Sequence, residues 1–259
     1  MPNIIAVLNQ KGGVGKTTTT INLAAYLAKD GRSVLVVDSD PQGNTTSGLG
    51  LDKQALSSTL YDVLFSRADV SATTQKINSK LFVLPSNANL AGAEVELVNL
   101  PGREIFLRNA LAGLNYDYIL IDCPPSLGLL TVNALAAANS VLIPVQAEYY
   151  ALEGLSQLLS VIQQVRQTLN PGLDILGVLI TLYDSRNSLS DQVRKELDSY
   201  FGDKLFKTIV PRNVRLAEAP SFGQSILQYA PSSNGADDYR QFAAEVLALA
   251  AATPHRKAA

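Results

Sequence analysis

The feature that most constrains this chain is Lys11-Gly12-Gly13-Val14-Gly15-Lys16-Thr17-Thr18. It follows the apolar run Ile4-Ile5-Ala6-Val7-Leu8 and leads into a helix-like stretch, Thr19 to Ala28. A strand, a Gly-rich loop and a helix start, in that order, form a phosphate cradle. The backbone N–H groups of Gly12, Gly13, Val14, Gly15 and Thr18 point inward, and the helix end adds partial positive charge. Lys16 is placed to reach the β- and γ-phosphates of a nucleotide, and the Thr17 hydroxyl to hold Mg²⁺. The strict form of such a loop has glycine five residues before Gly15. Here that position is Gln10, and a second lysine, Lys11, stands at the loop entrance.

Short apolar runs alternate with amphipathic ones along the rest of the chain. That alternation predicts an α/β fold of the P-loop NTPase type, a mostly parallel twisted sheet with helices on both faces. The expected strands are Ile4–Leu8, Val34–Asp38, Leu81–Leu84, Tyr118–Asp122, Val141–Val145, Ile175–Thr181 and Phe206–Val210. Most lack strict polar alternation, as strands covered on both faces do. Leu152, Leu155, Leu158, Leu159, Ile162, Val165 and Leu169 mark one face of a long helix ending before Pro171, which we read as a core face. Ser190 to Tyr200 and Ala236 to Ala252 read as further helices. In such sheets ligands bind beyond the carboxyl ends of the strands.

Composition removes several classes of function. The single cysteine, Cys123, allows no intrachain disulfide and no cysteine cluster within one chain. It sits at an apolar strand end, where a buried reduced thiol is expected. The single histidine, His255, argues against a His-centred triad or a histidine metal site. A formal net charge of −2 means that any nucleic-acid surface must be a local patch, one that dimerisation could complete. Met1-Pro2-Asn3 runs straight into the first strand without a secretory leader, and no apolar run is long enough to span a bilayer, so a cytoplasmic location is expected.

Two acidic strand ends complete the chemistry. Val34-Leu35-Val36-Val37-Asp38-Ser39-Asp40-Pro41-Gln42 ends in two carboxylates that point the same way if the strand continues. Beside a nucleotide they would organise Mg²⁺ and the attacking water. Tyr118-Ile119-Leu120-Ile121-Asp122-Cys123-Pro124-Pro125 ends in a third, of the kind that holds Mg²⁺ in phosphate-loop NTPases, often through water. Pro124-Pro125-Ser126 then stiffens a loop suited to sensing a γ-phosphate.

With these segments in hand, the chain resembles the deviant Walker ATPases of the MinD/ParA superfamily. Lys11 to Thr17, Asp38-Ser39-Asp40-Pro41-Gln42-Gly43-Asn44 and Ile121-Asp122-Cys123-Pro124-Pro125 carry that resemblance. Gln146-Ala147-Glu148-Tyr149-Tyr150-Ala151-Leu152-Glu153-Gly154 and Pro211-Arg212-Asn213-Val214-Arg215-Leu216-Ala217-Glu218-Ala219-Pro220-Ser221 narrow it to the chromosomal ParA/Soj partition proteins. The likeness runs from about Ile4 to Val246. It implies one ATPase domain over residues 1–253, with 254–259 a flexible tail, and the short form without a sequence-specific DNA-binding domain.

The resemblance also implies a role for each matching residue. Lys11 would be the signature lysine, reaching across a dimer to the partner's ATP phosphates. Gly12 would let that partner approach closely. Lys16 and Thr17 would bind phosphate and Mg²⁺, Asp40 would position or activate water, and Asp38 and Asp122 would support the metal. Pro211 and Asn213 would contact adenine, with Arg212 nearby. Arg186 and Arg215 would grip DNA phosphates without sequence preference. Lys204 and Lys207 are weaker matches, and Arg186-Asn187-Ser188 departs from the family's Arg-Thr-Asn.

The implied function is ATP-dependent partitioning of a chromosome or plasmid. ATP builds a homodimer that binds nucleoid DNA. Slow hydrolysis to ADP, stimulated by a ParB-type centromere-binding partner, releases it. Some relatives also act on a replication initiator. The alternative is a MinD-like membrane-associated ATPase. That needs a C-terminal helix with basic and bulky apolar faces, which Glu245 to Ala252 lacks; Arg256 and Lys257 follow Pro254. A cluster-bearing electron carrier needs two cysteines per subunit. A purely structural domain would have no use for the intact Lys16, Thr17, Asp40 and Asp122.

Overall fold

A computed structural model describes residues 2–148 and 151–252, the side chains of 151–153 and 252 excepted. Tyr149, Tyr150, the Leu152 side chain and the 254–259 segment therefore lie outside the described residues. The strands are β1 (Asn3–Val7), β2 (Val34–Asp38), β3 (Gln75–Lys76), β4 (Leu81–Leu84), β5 (Tyr118–Asp122), β6 (Ser140–Gln146), β7 (Asp174–Tyr183) and β8 (Leu205–Pro211). The helices are α1 (Lys16–Lys29), α2 (Asn44–Gly48), α3 (Leu60–Leu64), α4 (Val70–Thr73), α5 (Ala91–Leu97), α6 (Phe106–Leu111), α7 (Leu129–Ala137), α8 (Ala151–Thr168), α9 (Ser188–Phe201), α10 (Val214–Glu218), α11 (Ile226–Tyr229) and α12 (Asn234–Ala252).

One eight-stranded sheet runs β3-β4-β2-β5-β1-β6-β7-β8. All its pairings are parallel except β3 with β4. The seven expected strands are present to within a few residues. The antiparallel β3 adds an eighth.

Neighbouring residues of β1 and β2 feed opposite cores, because side chains alternate across a strand. Ala6, Leu35 and Val37 pack with Leu130 and Leu135 of α7 and with Leu155, Leu158, Ile162 and Val165 of α8. Ile5, Val7, Val34 and Val36 pack with Ile21, Leu23 and Leu27 of α1 and with Tyr239, Phe242 and Val246 of α12. Two apolar faces are why the central strands read as unbroken apolar runs. The leucine-rich face of α8 is a core face, as its periodicity predicted. Cys123 is buried and free, and burial pushes its thiol well above the usual range.

This layout sets the place of the site. β1 lies between β5 and β6, so the chain leaves it toward one side of the sheet and later returns on the other. Parallel strands bring the ends of β1, β2, β5, β7 and β8 to one edge. Val7 and Asp38 are each in register with Asp122. The outer strand β8 is closed to further pairing there: Glu245 of α12 accepts the N–H groups of Lys207 and Thr208 at 2.9 and 2.8 Å.

Candidate nucleotide site at the strand ends

The loop between β1 and α1 needs glycine at two points. Gly13 and Gly15 have φ of 74° and 84°, in the left-handed region that side chains disfavour. Gly15 is the N-cap of α1, with no side chain closing the helix end. The first-turn N–H groups thus face a cavity of 360 Å³ lined by Gly12, Gly13, Gly15, Lys16, Thr17 and Thr18 on one side. Asp40, Pro125, Pro211 and Asn213 line it elsewhere. Thr181 at the end of β7 steadies the loop, its Oγ1 donating to the Val14 carbonyl at 2.8 Å.

Lys16 is buried, with 7% exposure, and its Nζ donates to the Lys11 carbonyl at 3.1 Å. Burial lowers its pKa, and the negative charge of Asp122 and Asp40 nearby works against that. A phosphate there would act in the same sense as the carboxylates.

Asp122 gathers three hydroxyls. Thr17 Oγ1 and Thr45 Oγ1 both donate to its Oδ2 at 2.7 Å, and Thr20 Oγ1 to its Oδ1 at 3.2 Å. Burial pushes its carboxyl up to about 6, against the pull of Thr45, Thr17 and Lys16. Thr17 and Asp122 therefore form one unit, a hard-oxygen donor set that suits Mg²⁺ held together with substrate phosphates.

The two carboxylates at the end of β2 have different surroundings. The strand ends at Asp38, and the Asp38 side chain is fully buried. Its Oδ2 accepts from Thr46 N–H at 2.8 Å and Thr46 Oγ1 at 2.6 Å, and its Oδ1 from the Asp40 N–H at 3.3 Å. Asp38 thus shapes the turn that carries Asp40, and among the two only Asp40 lines the cavity. The condition that the strand continue is not met: after a last ladder bond from the Ser39 N–H to the Asp122 carbonyl the chain turns over Asp40–Gly43, where the Gly43 N–H donates to the Asp40 carbonyl, both at 2.9 Å.

Burial, with Asp122 adjacent, pushes the Asp38 carboxyl up to about 7. An unfolded aspartate titrates near pH ~4. Between those values the native state holds the extra protons of Asp38 and Asp122, so their contribution to stability is lost as pH rises. The melting temperature of the nucleotide-free protein should fall from pH 5 to pH 8, and Asp38→Asn should flatten that slope. An identical slope in the variant would contradict the assignment.

Lys11 does not line the cavity that its own loop forms. Its Nζ is ion-paired with Glu148, both side chains 44% exposed. Glu148 also accepts from Gln146 and stands 3.8 Å from the Arg212 guanidinium. Arg212 faces a neighbouring 450 Å³ cleft with Tyr183, Asp184 and Arg186, and does not line the nucleotide cavity beside Pro211 and Asn213. Asn213 caps α10, its Oδ1 accepting from the Arg215 N–H at 2.9 Å. Arg186 and Arg215 are exposed, each held by a carboxylate of its own segment. Asp184 takes Arg186 in a fork at 2.8 and 2.9 Å, and Glu218 takes Arg215 at 2.9 Å.

Sequence reasoning missed Thr20, Thr45, Thr46, Thr181 and Glu148. The run Thr17-Thr18-Thr19-Thr20 and the pair Thr45-Thr46 were visible signals for hydroxyls around a buried carboxylate.

Comparison with known proteins agrees with this geometry. A family model described as "AAA domain" matches residues 2–175. The sporulation initiation inhibitor protein Soj of Bacillus subtilis is 56% identical over 96% of this chain and 99% of its own length. The chromosome partitioning protein ParA of Myxococcus xanthus is 53% identical over 94% of this chain and 87% of its own. The chain belongs to the ParA/Soj family of partitioning ATPases. Within the wider fold, a solved structure described as cobyrinic acid a,c-diamide synthase from Mycobacterium smegmatis with bound ADP and magnesium superposes with a TM-score of 0.83. It is 41% identical over 95% of this chain and 94% of that one. The ParA/Soj assignment follows the more similar relatives. Among the described residues no helix is long and apolar enough to cross a membrane.

Proposed function

We propose that this chain is an ATP-driven switch for DNA partitioning. Mg-ATP binds in the 360 Å³ cavity, its phosphates on the Gly12–Thr18 loop and its base against Pro211 and Asn213. Thr17, backed by Asp122, holds the metal, whose chemistry is to neutralise the transferring phosphate. Asp40 orients the attacking water and takes its proton. Two ATP-bound copies join face to face, each Lys11 reaching the other's phosphates. The dimer binds double-stranded DNA through Arg186 and Arg215 without reading sequence. A ParB-type partner speeds hydrolysis, and the ADP form releases the DNA. The site of action is the nucleoid in the cytoplasm, and a replication initiator is a further partner in this reading. That the Mycobacterium smegmatis relative holds ADP and magnesium supports the nucleotide assignment.

The observation that carries this reading is the position of Lys11. A lysine in a phosphate loop that pairs with a surface glutamate is placed to serve phosphates other than its own. Gly12 supports it. A Cβ added at Gly12 would meet nothing within 4 Å among the described residues, and its φ is not left-handed. Among the described residues no contact of a Cβ and no backbone angle calls for glycine there, and close approach of a second chain supplies a reason.

Arg215→Glu tests the DNA step. With ATP the variant should dimerise like the wild type, while its DNA affinity falls at least about tenfold and its salt dependence becomes shallower. Undiminished affinity in a fluorescence-anisotropy titration would place the DNA contact elsewhere.

A further inference from the structure

Between Asp122 and α7 the chain runs through Pro124-Pro125-Ser126-Leu127-Gly128. Pro125 lines the nucleotide cavity, and Ser126 is tied to α7 by Thr131 Oγ1, which donates to the Ser126 carbonyl at 2.7 Å. The far end of this loop rests on a carboxylate from another part of the chain. A Cβ added at Gly128 would collide with Glu94 Oε1 and stand 3.1 Å from its carboxyl carbon. Gly128 has φ of −76°, which any residue adopts, so a side chain there would act through space, by displacing the Glu94 carboxylate, and not through conformation.

Glu94 sits in the first turn of α5, and its Oε1 is buried without a hydrogen-bond partner. Gly128 is the N-cap of α7, and no side chain caps that helix. A carboxylate with a buried, unpaired oxygen therefore lies against an uncapped helix start. An unmade bond of this kind is costly, and an N–H turned toward Oε1 would remove the cost.

We propose that Glu94 is a positioning residue for the 124–128 loop. In the nucleotide-free chain its Oε1 is unpaired. When the loop moves to meet a γ-phosphate, Glu94 accepts an N–H from the start of α7 and favours the ATP-engaged arrangement. α5 thereby senses whether the cavity holds ATP or ADP. This inference rests on the nucleotide reading given above, and ADP binding separates the failure of one from the failure of the other.

The test is calorimetric titration of Mg-ADP and of a non-hydrolysable ATP analogue into four variants: Glu94→Ala, Glu94→Gln, Gly128→Ala and the double Glu94→Ala/Gly128→Ala. Glu94→Ala should bind ADP within about twofold of wild type and lose roughly tenfold for the analogue, the scale of one buried acceptor left without its bond. Glu94→Gln keeps a carbonyl oxygen in place and should retain most of the preference. Gly128→Ala should also lose the preference, and the double variant should be no worse than the poorer single one, since both changes break one contact. Equal losses for ADP and the analogue would make Glu94 a packing residue and overturn the proposal. So would unchanged affinity for both, or costs that simply add in the double variant. A wild type that binds neither nucleotide would overturn the nucleotide reading along with it.

Discussion

Replacing Lys16 with alanine should abolish useful nucleotide binding while leaving the fold in place. Lys16 is the buried cation of the phosphate loop, held over the cavity by the Lys11 carbonyl at 3.1 Å. Its charge is poorly solvated, which is why burial lowers its pKa. A phosphate group would restore what burial removes, so much of the binding energy is concentrated at this one contact. Charge-assisted hydrogen bonds contribute about 1.5–3 kcal/mol, and breaking a buried charge pair costs about 3–5 kcal/mol. Each 1.4 kcal/mol is about a factor of ten. The expected loss for ATP and ADP is therefore roughly a hundredfold or more by calorimetry. The uncomplexed variant should melt close to the wild type, because removing a desolvated cation offsets the lost contact with the Lys11 carbonyl. An affinity within about threefold of wild type would remove Lys16 from the phosphate site.

Asp40→Ala should separate binding from chemistry. Asp40 lines the cavity with 7% exposure, and its Oδ1 accepts the Gln42 N–H at 2.9 Å. Its main chain is fixed independently of its side chain: the Asp40 carbonyl accepts from Ser86 Oγ at 2.9 Å and its N–H binds Asp38. Alanine there should leave the turn intact. A positioned base contributes typically 10²–10⁴-fold, so turnover should fall by at least about a hundredfold with ATP affinity nearly unchanged. Normal turnover in Asp40→Ala would take the water-activating role away from Asp40. Loss of affinity and turnover together would make Asp40 a binding group instead.

Much of this site is legible in the sequence because it is local. The phosphate loop, its strand and its helix are contiguous, and the apolar strands that end in Asp38 and Asp122 announce their own ends. What is not legible comes from across the fold. Glu148 meets Lys11, and Thr181 meets Val14, only because β6 lies beside β1 in the sheet and β7 beside β6. The alternation that would align Asp38 with Asp40 does not hold because the strand ends at Asp38 and the chain turns over Asp40–Gly43. Strand β3 has two residues and α2, α3 and α4 four or five, too short for any periodicity to register. Arg186 and Arg215 carry no local pattern that distinguishes them from other surface arginines. The resemblance to ParA/Soj singles them out, and the carboxylates that hold them were visible only as neighbouring charges.

In the proposed function ATP, and not ADP, makes this chain a DNA-binding dimer. DNA binding by the wild type and by Asp40→Ala, each with ATP, with ADP and without nucleotide, at two salt concentrations, tests it most directly. Binding should appear only with ATP, be strongest in Asp40→Ala and weaken steeply with salt. Equal binding in all nucleotide states, or none in any, would contradict it.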